Sequence, residues 1–292
     1  MAWRDEFANA GGRRGVRRRS SIGPAWARPC EHGLVLAKVY VIVGSHACRA
    51  ATLMLEFKEI PYRTVALPTG VHPLLVRACG FPGSRTPIRT VDGATHRQLA
   101  LLDRLGTVPA LLLDGERVQT NRRIARHLEH ICPDPRLFPV EADRKRVVEE
   151  AEAWGDEVLQ MAARRLVLAT RVHELRDRGA HGRLGPLLTR SDRMRVLLAR
   201  GAAQSFRASS DNAEDLLRAI PPLLDKVDSW VHEGVLCGEE LNVADFTIAP
   251  SLALLSYRPD LARELAARPA GRLMDRLLPE PVASRLADGP PV

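Results

Sequence analysis

The first residues of this sequence that could do chemistry form a short polar turn, Gly44-Ser45-His46, between an apolar run and a helical pattern. This spacing places the Ser45 hydroxyl at a helix N-terminus, which carries about half a positive charge and unsatisfied N–H groups. A thiol bound there is stabilised as its thiolate, and the hydroxyl can donate a hydrogen bond to the sulfur. Ser45 is therefore a candidate activator of a bound thiol, or alternatively only a helix cap. His46 could donate a second hydrogen bond, although an exposed loop histidine is the simpler interpretation.

Two further stretches carry groups suited to holding a ligand. Val108-Pro109 precedes a short apolar run, and an X-Pro bond in such a turn is often cis. Thr120-Asn121 stands at the start of another helical pattern, and a helix N-terminus binds a carboxylate. Each has a purely structural alternative: Val108-Pro109 as the start of a strand, and Asn121 as an ordinary N-cap.

A β-α-β pattern surrounds the serine. The β-branched run Val39–Val43 predicts a buried strand, Ala47–Lys58 predicts a helix, and Tyr62–Leu67 predicts a second strand. Prolines and glycines between residues 68 and 83 indicate a loop, and Ala94–Leu105 predicts a separate helix. A β-α-β unit of about thirty residues is the usual opening of an α/β fold.

A β-β-α pattern contains the other candidate positions. Ala110–Leu113 and Glu116–Gln119 predict two strands around Asp114-Gly115, because Asp-Gly between apolar runs is a strong hairpin signal. The helix after Thr120-Asn121 is predicted to end near His130. Residues 37–131 therefore predict one small α/β domain.

Beyond a proline-containing linker at residues 132–135, the pattern is helical. Apolar residues recur at steps of four and three and predict one long amphipathic helix; they are Val147, Ala151, Trp154, Val158 and Met161. Trp154 and Met161 could line a substrate pocket, although a core stripe is the simpler interpretation.

The remaining helices are predicted from periodicity and capping residues. Ser191–Arg207 predicts one helix, and the apolar steps from Leu216 to Trp230 predict another, which Pro221-Pro222 must kink or begin anew. Asn242 and Asp245 have the spacing of an N-cap and an N3 residue. Two short helices are predicted before Pro279.

Taken together, these motifs resemble those of the glutathione transferases. Val39–Tyr62 resembles the family's first strand, active-site turn and first helix, and Thr107-Val108-Pro109-Ala110 resembles its cis-proline turn. Gln119-Thr120-Asn121-Arg122-Arg123-Ile124 lies where the family has its Glu-Ser-Arg-Ala-Ile type motif, and Asn242-Val243-Ala244-Asp245 resembles the capping box of its core helix. The resemblance covers most of residues 37–280. It implies a thioredoxin-like α/β domain (37–131, with an insertion at about 84–106) followed by an all-α helical-bundle domain (132–280).

The resemblance also implies a function. A thiol, glutathione or a similar molecule, would bind the first domain and be conjugated to a small electrophile from the cleft between the domains. Ser45 would polarise the thiol, while Val108, Pro109, Thr120 and Asn121 would hold it, with the Val108 backbone pairing with the cysteinyl part. The family usually has an acidic residue and Ser where this chain has Thr120 and Asn121, so the partner of the ligand's α-ammonium is missing. A homodimer is expected from the resemblance.

Two other functions stay open. Ser45-His46-Ala47-Cys48 has the spacing of the thioredoxin-like C-x-x-C redox turn with serine in place of the first cysteine. Cys48 could therefore act as a single-thiol oxidoreductase, although full dithiol exchange needs two sulfurs, and a small buried core residue is the simpler interpretation. A non-catalytic binding module of the same fold is the second alternative, which Thr120 and the insertion favour.

Composition excludes several classes of protein. The net charge is +8, and the first 36 residues, with seven Arg and three acidic residues, predict a disordered Arg-rich extension. In the helical part Arg alternates with acidic residues, so no nucleic-acid partner is expected.

Five scattered cysteines without zinc-ligand spacing predict free thiols and no metal site. No apolar run is long enough for a membrane span or shaped like a secretory signal, which favours a cytoplasmic protein. Residues 281–292 are expected to be a tail.

Overall fold

The computed structural model describes residues 36–42, 44–68, 71–83, 106–170, 208 and 213–278. Its sheet has the strand order β2-β1-β3-β4. The strands are β1 (Ala37–Val41), β2 (Tyr62–Ala66), β3 (Ala110–Leu113) and β4 (Glu116–Gln119). β1 pairs parallel with β2 and antiparallel with β3, and β3 pairs antiparallel with β4. The predicted β-α-β and β-β-α units are therefore confirmed as one mixed sheet.

The turn between β3 and β4 forms where the Asp-Gly pair predicts it. Asp114 and Gly115 both have positive φ, at 49° and 81°, as the two central residues of a type I′ hairpin turn require. β1 ends at Val41, two residues before the predicted end of that strand. The end is shifted because Ile42 already belongs to the turn: its carbonyl accepts the N–H of Ser45 at 3.0 Å.

Three helices pack around this sheet in the described part of the first domain. They are α1 (His46–Phe57), α2 (His72–Ala78) and α3 (Asn121–Ile131). The prediction of a loop over residues 68–83 is wrong for α2. Pro73 lies in the first turn of this helix, where a missing N–H has no partner to lose. A proline that favours a loop by composition therefore starts a helix here.

The helical part begins after the linker with α4 (Ala142–Trp154), a single π-helical turn (Gly155–Leu159) and α5 (Gln160–Ala169). The later described helices are α6 (Ala213–Arg218), α7 (Ile220–His232), α8 (Val243–Leu255), α9 (Pro259–Ala266) and α10 (Pro269–Leu277). The double proline starts α7, and the two short helices α9 and α10 are present as predicted. These elements confirm an α/β thioredoxin-like domain followed by an all-α helical region.

Helix α8 lies at the centre of the helical part. It is apolar on all sides and contacts α1, α4, α5 and α10. Asn242 and Asp245 form the predicted capping box: the Asn242 Oδ1 accepts the N–H of Ala244 at 3.0 Å, and Asp245 Oδ2 accepts the N–H of Asn242 at 2.8 Å. The two parts of the chain meet where Phe57 of α1 packs against Phe246 of α8, with ring centroids 5.0 Å apart.

The predicted uninterrupted helix over Val147–Met161 is wrong in one respect, because the π turn adds a residue to it. The apolar face consequently shifts, and Leu159 is fully buried while Val158 is only half-buried. Gly155 allows the turn to lie against α8: a Cβ at this position would stand 2.7 Å from Ile248 Cγ1. Trp154 packs edge-on against Trp230, at 5.1 Å between ring centroids, and Met161 is buried, so both belong to the core.

Several predicted features lie outside the described residues. They are most of the Arg-rich extension 1–36, nearly all of the insertion at about 84–106 with its helix over 94–105, the helix over 191–207 and the tail 281–292. The domain boundaries at residues 36, 131 and 280 stay predictions. Cys48, Cys79 and Cys237 are free thiols, whereas Cys132 is disulfide-bonded, so the expectation of free thiols fails there. None of the described helices has the length and apolar character that a bilayer span requires.

Candidate functional site

The strand register brings the three candidate stretches to one edge of the sheet. Tyr40, near the end of β1, pairs with Ala110, the first residue of β3, and Ala110 also pairs with Gln119, the last residue of β4. The end of β1, the start of β3 and the end of β4 therefore coincide. The turn with Ser45 follows β1, Val108-Pro109 precedes β3, and Thr120-Asn121 follows β4, so all three lie at this edge.

Ser45 is the N-cap of α1. Its Oγ accepts the N–H of Cys48 at 3.4 Å, and Gly44 before it has a φ of 78°, a left-handed conformation suited to glycine. The first turn of α1 contains no acidic side chain, so nothing there compensates the positive end of the helix dipole. A hydroxyl that accepts a backbone N–H keeps its own proton to donate.

His46 is the first residue of α1 and is half-buried, so the expectation of an exposed loop histidine is wrong. Its ring meets Tyr257 of the helical part edge to face, with centroids 5.7 Å apart and planes at 79°. The turn that carries Ser45 is thus in contact with both parts of the chain.

Cys48 lies one turn into α1 with only 3% of its surface exposed. Burial raises the pKa of its thiol, and hydrogen bonds from Ser45 and the Ile42 backbone, together with the charge of Arg164, lower this pKa by less. A thiol in this environment is protonated and shielded, which is typical of a structural cysteine.

The Val108-Pro109 peptide bond is cis, as the resemblance implied. Pro109 O accepts the N–H of Thr120 at 3.3 Å, which joins this turn to the start of α3. Val108 is half-buried, and no backbone hydrogen bond among the described residues uses its N–H or C=O.

Gln119 stabilises this turn through two side-chain hydrogen bonds, a role that the sequence analysis did not assign. It is 1% exposed; its Oε1 accepts the N–H of Gly83 at 2.7 Å, and its Nε2 donates to Thr107 O at 3.0 Å. The amide therefore ties the end of β4 to the segment preceding the cis-proline. A polar residue placed next to an apolar one at the end of a strand, Val118-Gln119, was the available signal.

Thr120 has an unusual backbone conformation. Its φ and ψ are 69° and 144°, a combination that a β-branched residue seldom adopts and that costs on the order of 1–3 kcal/mol. Thr120 Oγ1 accepts the N–H of Arg123 at 3.5 Å, so Thr120 is the N-cap of α3 and the alternative prediction of Asn121 as the cap is wrong. Strain of this kind concentrates at ligand-binding sites.

Asn121 is the first residue of α3 and is almost completely buried, at 3% exposed. Its Oδ1 has no hydrogen-bond partner among the described residues. A buried acceptor left unpaired costs about 1–3 kcal/mol, so a native structure that contains one calls for a reason.

Charged side chains from the helical part face the start of α3. Arg122 Nη1 donates to Glu157 Oε1 of the π turn at 3.3 Å, and Arg126 binds the fully buried Glu152 through two bonds of 2.8 Å. Burial, reinforced by the neighbouring Glu152, raises the pKa of Asp156 to about 6, while Arg122 and Arg164 act in the opposite direction.

His72 is the first residue of α2. Its Nδ1 is buried without a partner in the described structure, and burial together with the charge of Arg164 lowers the pKa of His72 to about 4. Arg164 belongs to α5, where its Nη2 donates to Gln160 Oε1 at 2.9 Å. The ring is thus neutral at pH 7.

Within the described ranges, no three His, Cys, Asp or Glu side chains come together as a metal site would require.

Sequence comparison finds no relative: no protein-family model matches the chain, and no curated protein matches it. Solved structures do match. A glutathione S-transferase-I bound with lactoylglutathione aligns over 87% of this chain and 99% of its own, at 15% identity and a TM-score of 0.54. A Sulfitobacter glutathione transferase homologue with bound glutathione aligns over 87% and 98%, at 15% identity and a TM-score of 0.53.

The chain has the glutathione transferase fold. A Methylobacterium radiotolerans glutathione S-transferase in complex with glutathione sulfonate gives the same result, at 19% identity and a TM-score of 0.50 over 88% of this chain and 97% of that one. Identities of this size show the fold alone.

Proposed function

We propose that this protein is a glutathione transferase-like enzyme that binds glutathione or a similar small thiol and conjugates it to a small electrophile. The observation that carries the proposal is the meeting of three groups at one edge of the sheet: Ser45, the start of α3, and the Val108 backbone, which makes no backbone hydrogen bond to the other described residues. A helix N-terminus, the backbone groups of Val108 and a second helix N-terminus offer sites for a thiolate, a peptide unit and a carboxylate, in that order.

Each residue has a separate role in this proposal. The Ser45 hydroxyl and the positive end of α1 stabilise the thiolate, so Ser45 activates the thiol and is not itself the nucleophile. The N–H and C=O of Val108, held by the turn at Pro109, pair with the central peptide unit of the thiol. Thr120 and Asn121 receive the distal carboxylate at the N-terminus of α3.

Both alternative functions are less well supported. The single-thiol oxidoreductase would need Cys48 as an accessible thiolate, but this thiol is buried and its pKa is raised. A non-catalytic module that has lost its ligand contacts would have no use for a strained Thr120 beside a buried Asn121 whose Oδ1 has no partner among the described residues. These two features favour a bound ligand.

The proposal includes the quaternary structure and location that accompany this activity in proteins of this fold. We propose a homodimer in the cytoplasm, where small thiols are kept reduced. Light scattering after size-exclusion chromatography of the full chain measures the first of these directly.

The test is calorimetric titration of the full-length protein with glutathione, beside the variants Ser45→Ala and Asn121→Ala. We expect sub-millimolar binding that Asn121→Ala weakens about tenfold, since a charge-assisted hydrogen bond contributes about 1.5–3 kcal/mol. Ser45→Ala should leave affinity nearly unchanged but raise the pKa of the bound thiol, which ultraviolet difference absorbance of the thiolate reports. Conjugation of a model electrophile should then fall about ten- to a hundredfold at pH 7.

Two results would count against the proposal. If no small thiol binds at several millimolar, the transferase function is ruled out and the non-catalytic module is the remaining function. Binding without any conjugation, unaffected by Ser45→Ala, would leave a thiol-binding protein whose helix cap has no catalytic role. Ser45→Thr, which keeps a hydroxyl at the cap, is the matched control and should retain most of the activity.

A further inference from the structure

The start of α3 is more electropositive than a helix N-terminus alone. Its first turn contains no acidic side chain and two arginines, Arg122 and Arg123. The backbone N–H groups of the first turn add the positive end of the helix dipole. Because Arg122 is paired with Glu157, an anionic group is stabilised here by the backbone N–H groups, the helix dipole and Arg123, whereas a cationic group meets no counter-charge from the first turn.

Carboxylates near this helix start are already matched by arginines. Glu157 accepts from Arg122 at 3.3 Å, and Glu152 holds Arg126 through two bonds of 2.8 Å. Asp156 lies within electrostatic range of two arginines, Arg122 and Arg164. Within the described ranges, this leaves no acidic side chain at Thr120 or in the first turn of α3 to balance a ligand's ammonium group.

The side chain of Asn121 indicates which ligand group lies beside the anion in place of an ammonium. Its side chain is buried and its Oδ1 lacks a partner in the described structure. Rotation about the last side-chain torsion exchanges the oxygen and the nitrogen of the amide and is soft, so the side chain can offer either end to a ligand. A neutral N–H or O–H donor next to the ligand's anionic group would satisfy this acceptor without introducing a positive charge.

We infer that the site at Thr120 and Asn121 selects a thiol whose distal end is an anion flanked by a neutral hydrogen-bond donor, such as a hydroxy acid, in preference to the α-amino acid of glutathione. This inference rests on the proposed thiol-binding function and names the class of thiol for it. Thr120 and Asn121 are specificity-determining positions, because an acidic side chain at the helix start would supply the counter-charge that an ammonium needs.

The test compares two thiols of the same shape by calorimetric titration of the full chain. One is glutathione, and the other is its 2-hydroxyglutaryl analogue, in which a hydroxyl replaces the α-ammonium. We expect the analogue to bind about two- to fivefold more tightly, the factor by which a single charge near a helix terminus typically changes an equilibrium. Thr120→Glu should reverse this order, whereas Thr120→Gln, equal in size and uncharged, should not.

The outcomes separate this inference from the proposed function. Equal binding of the two thiols, or tighter binding of glutathione by the unmodified protein, overturns the inference while thiol binding itself stands. Binding of neither thiol overturns both. Thermal unfolding of the Glu and Gln variants, which place the same strain on the backbone at position 120, confirms that any change in preference arises in a folded protein.

Discussion

At the residue scale, Ser45 and Cys48 differ in environment although they lie on the same helical turn. Ser45 is half-exposed at the cap of α1, while Cys48 points into the core below it. The nucleophilic form of a cysteine is the thiolate, which burial disfavours. The same short motif therefore contains one residue suited to act on a bound sulfur and one suited to fill the core.

We expect Cys48 to be alkylated on the order of a hundredfold more slowly than Cys79 and Cys237 in the native protein. Cys79 and Cys237 are half-buried free thiols that a reagent can reach, whereas Cys48 must await a local opening of α1. Peptide mass spectrometry after timed labelling measures the three rates, and labelling in denaturant serves as the control. Equal native rates at Cys48 and Cys79 would revive the single-thiol oxidoreductase.

At the element scale, two glycines allow helices to approach more closely than any other residue would permit. A Cβ on Gly155, in the π turn, would stand 2.7 Å from the side-chain atom Ile248 Cγ1. A Cβ on Gly271, at the start of α10, would stand 2.0 Å from the backbone oxygen of Leu265. A side chain can move aside, but a backbone carbonyl held between two helices cannot.

Both Gly155→Ala and Gly271→Ala should therefore lower the free energy of unfolding, although alanine favours helix. We expect a loss of about 1–3 kcal/mol at Gly155 and a loss at or above the top of that range at Gly271. Gly238→Ala is the control, because its Cβ would meet nothing closer than 3.5 Å. Urea unfolding monitored by circular dichroism ranks the free energies of unfolding of the three variants. Equal values for all three would contradict this account of the packing.

Elements with strong local signals were predictable from sequence, and those set by distant contacts were not. Asp114-Gly115, the double proline of α7 and the box formed by Asn242 and Asp245 act within a few residues of where they stand. Helix α2 and the π turn lack such signals. The first forms despite breaker residues, and the second depends on Gly155 meeting α8 across about ninety residues of chain.

The candidate site divides in the same way. Ser45, Val108, Pro109, Thr120 and Asn121 were found because each belongs to a short motif at the end of an element. The positive φ of Thr120, the support from Gln119 and the charges of the π turn were not foreseen, since each depends on groups far away in sequence. Lys58 is a further case: its side chain is fully buried between Glu129 and the carbonyl of Cys132, both at 2.6 Å, where composition favours an exposed lysine.

At the scale of the whole molecule, the two parts of the chain are coupled by charge as well as by packing. Phe57 and Phe246 form the apolar contact, and His46 meets Tyr257. His72 of the first domain lies within electrostatic range of Arg164 of the helical part, and both burial and this charge oppose protonation of its ring. The contact between the two parts should therefore become less stable in acid.

His72→Phe tests this coupling. The pKa of His72 is about 6.5 in an unfolded chain and about 4 in the folded protein. A depressed pKa contributes stability that is complete above pH 6.5 and is lost as the pH falls towards 4, because the unfolded chain binds the proton first. Phenylalanine has a similar shape and cannot titrate. As the pH falls from 7 to 4, the free energy of unfolding of His72→Phe should therefore rise by about 1–2 kcal/mol relative to that of the unmodified protein. The partial exposure of the His72 ring keeps this difference below the value for a fully buried group.

The measurement is urea unfolding of both proteins across this range, and the quantity of interest is the difference between their free energies of unfolding. Asp156 and Asp245, whose pKa values burial raises to about 6, titrate in the same window with the opposite sign. They are present in both proteins, so their contribution cancels in the difference. His130→Phe, at an exposed histidine on α3, is the matched control. If the difference for His72→Phe stays constant from pH 7 to pH 4, then protonation of this ring is not opposed by the fold, and the charge of Arg164 does not act on it.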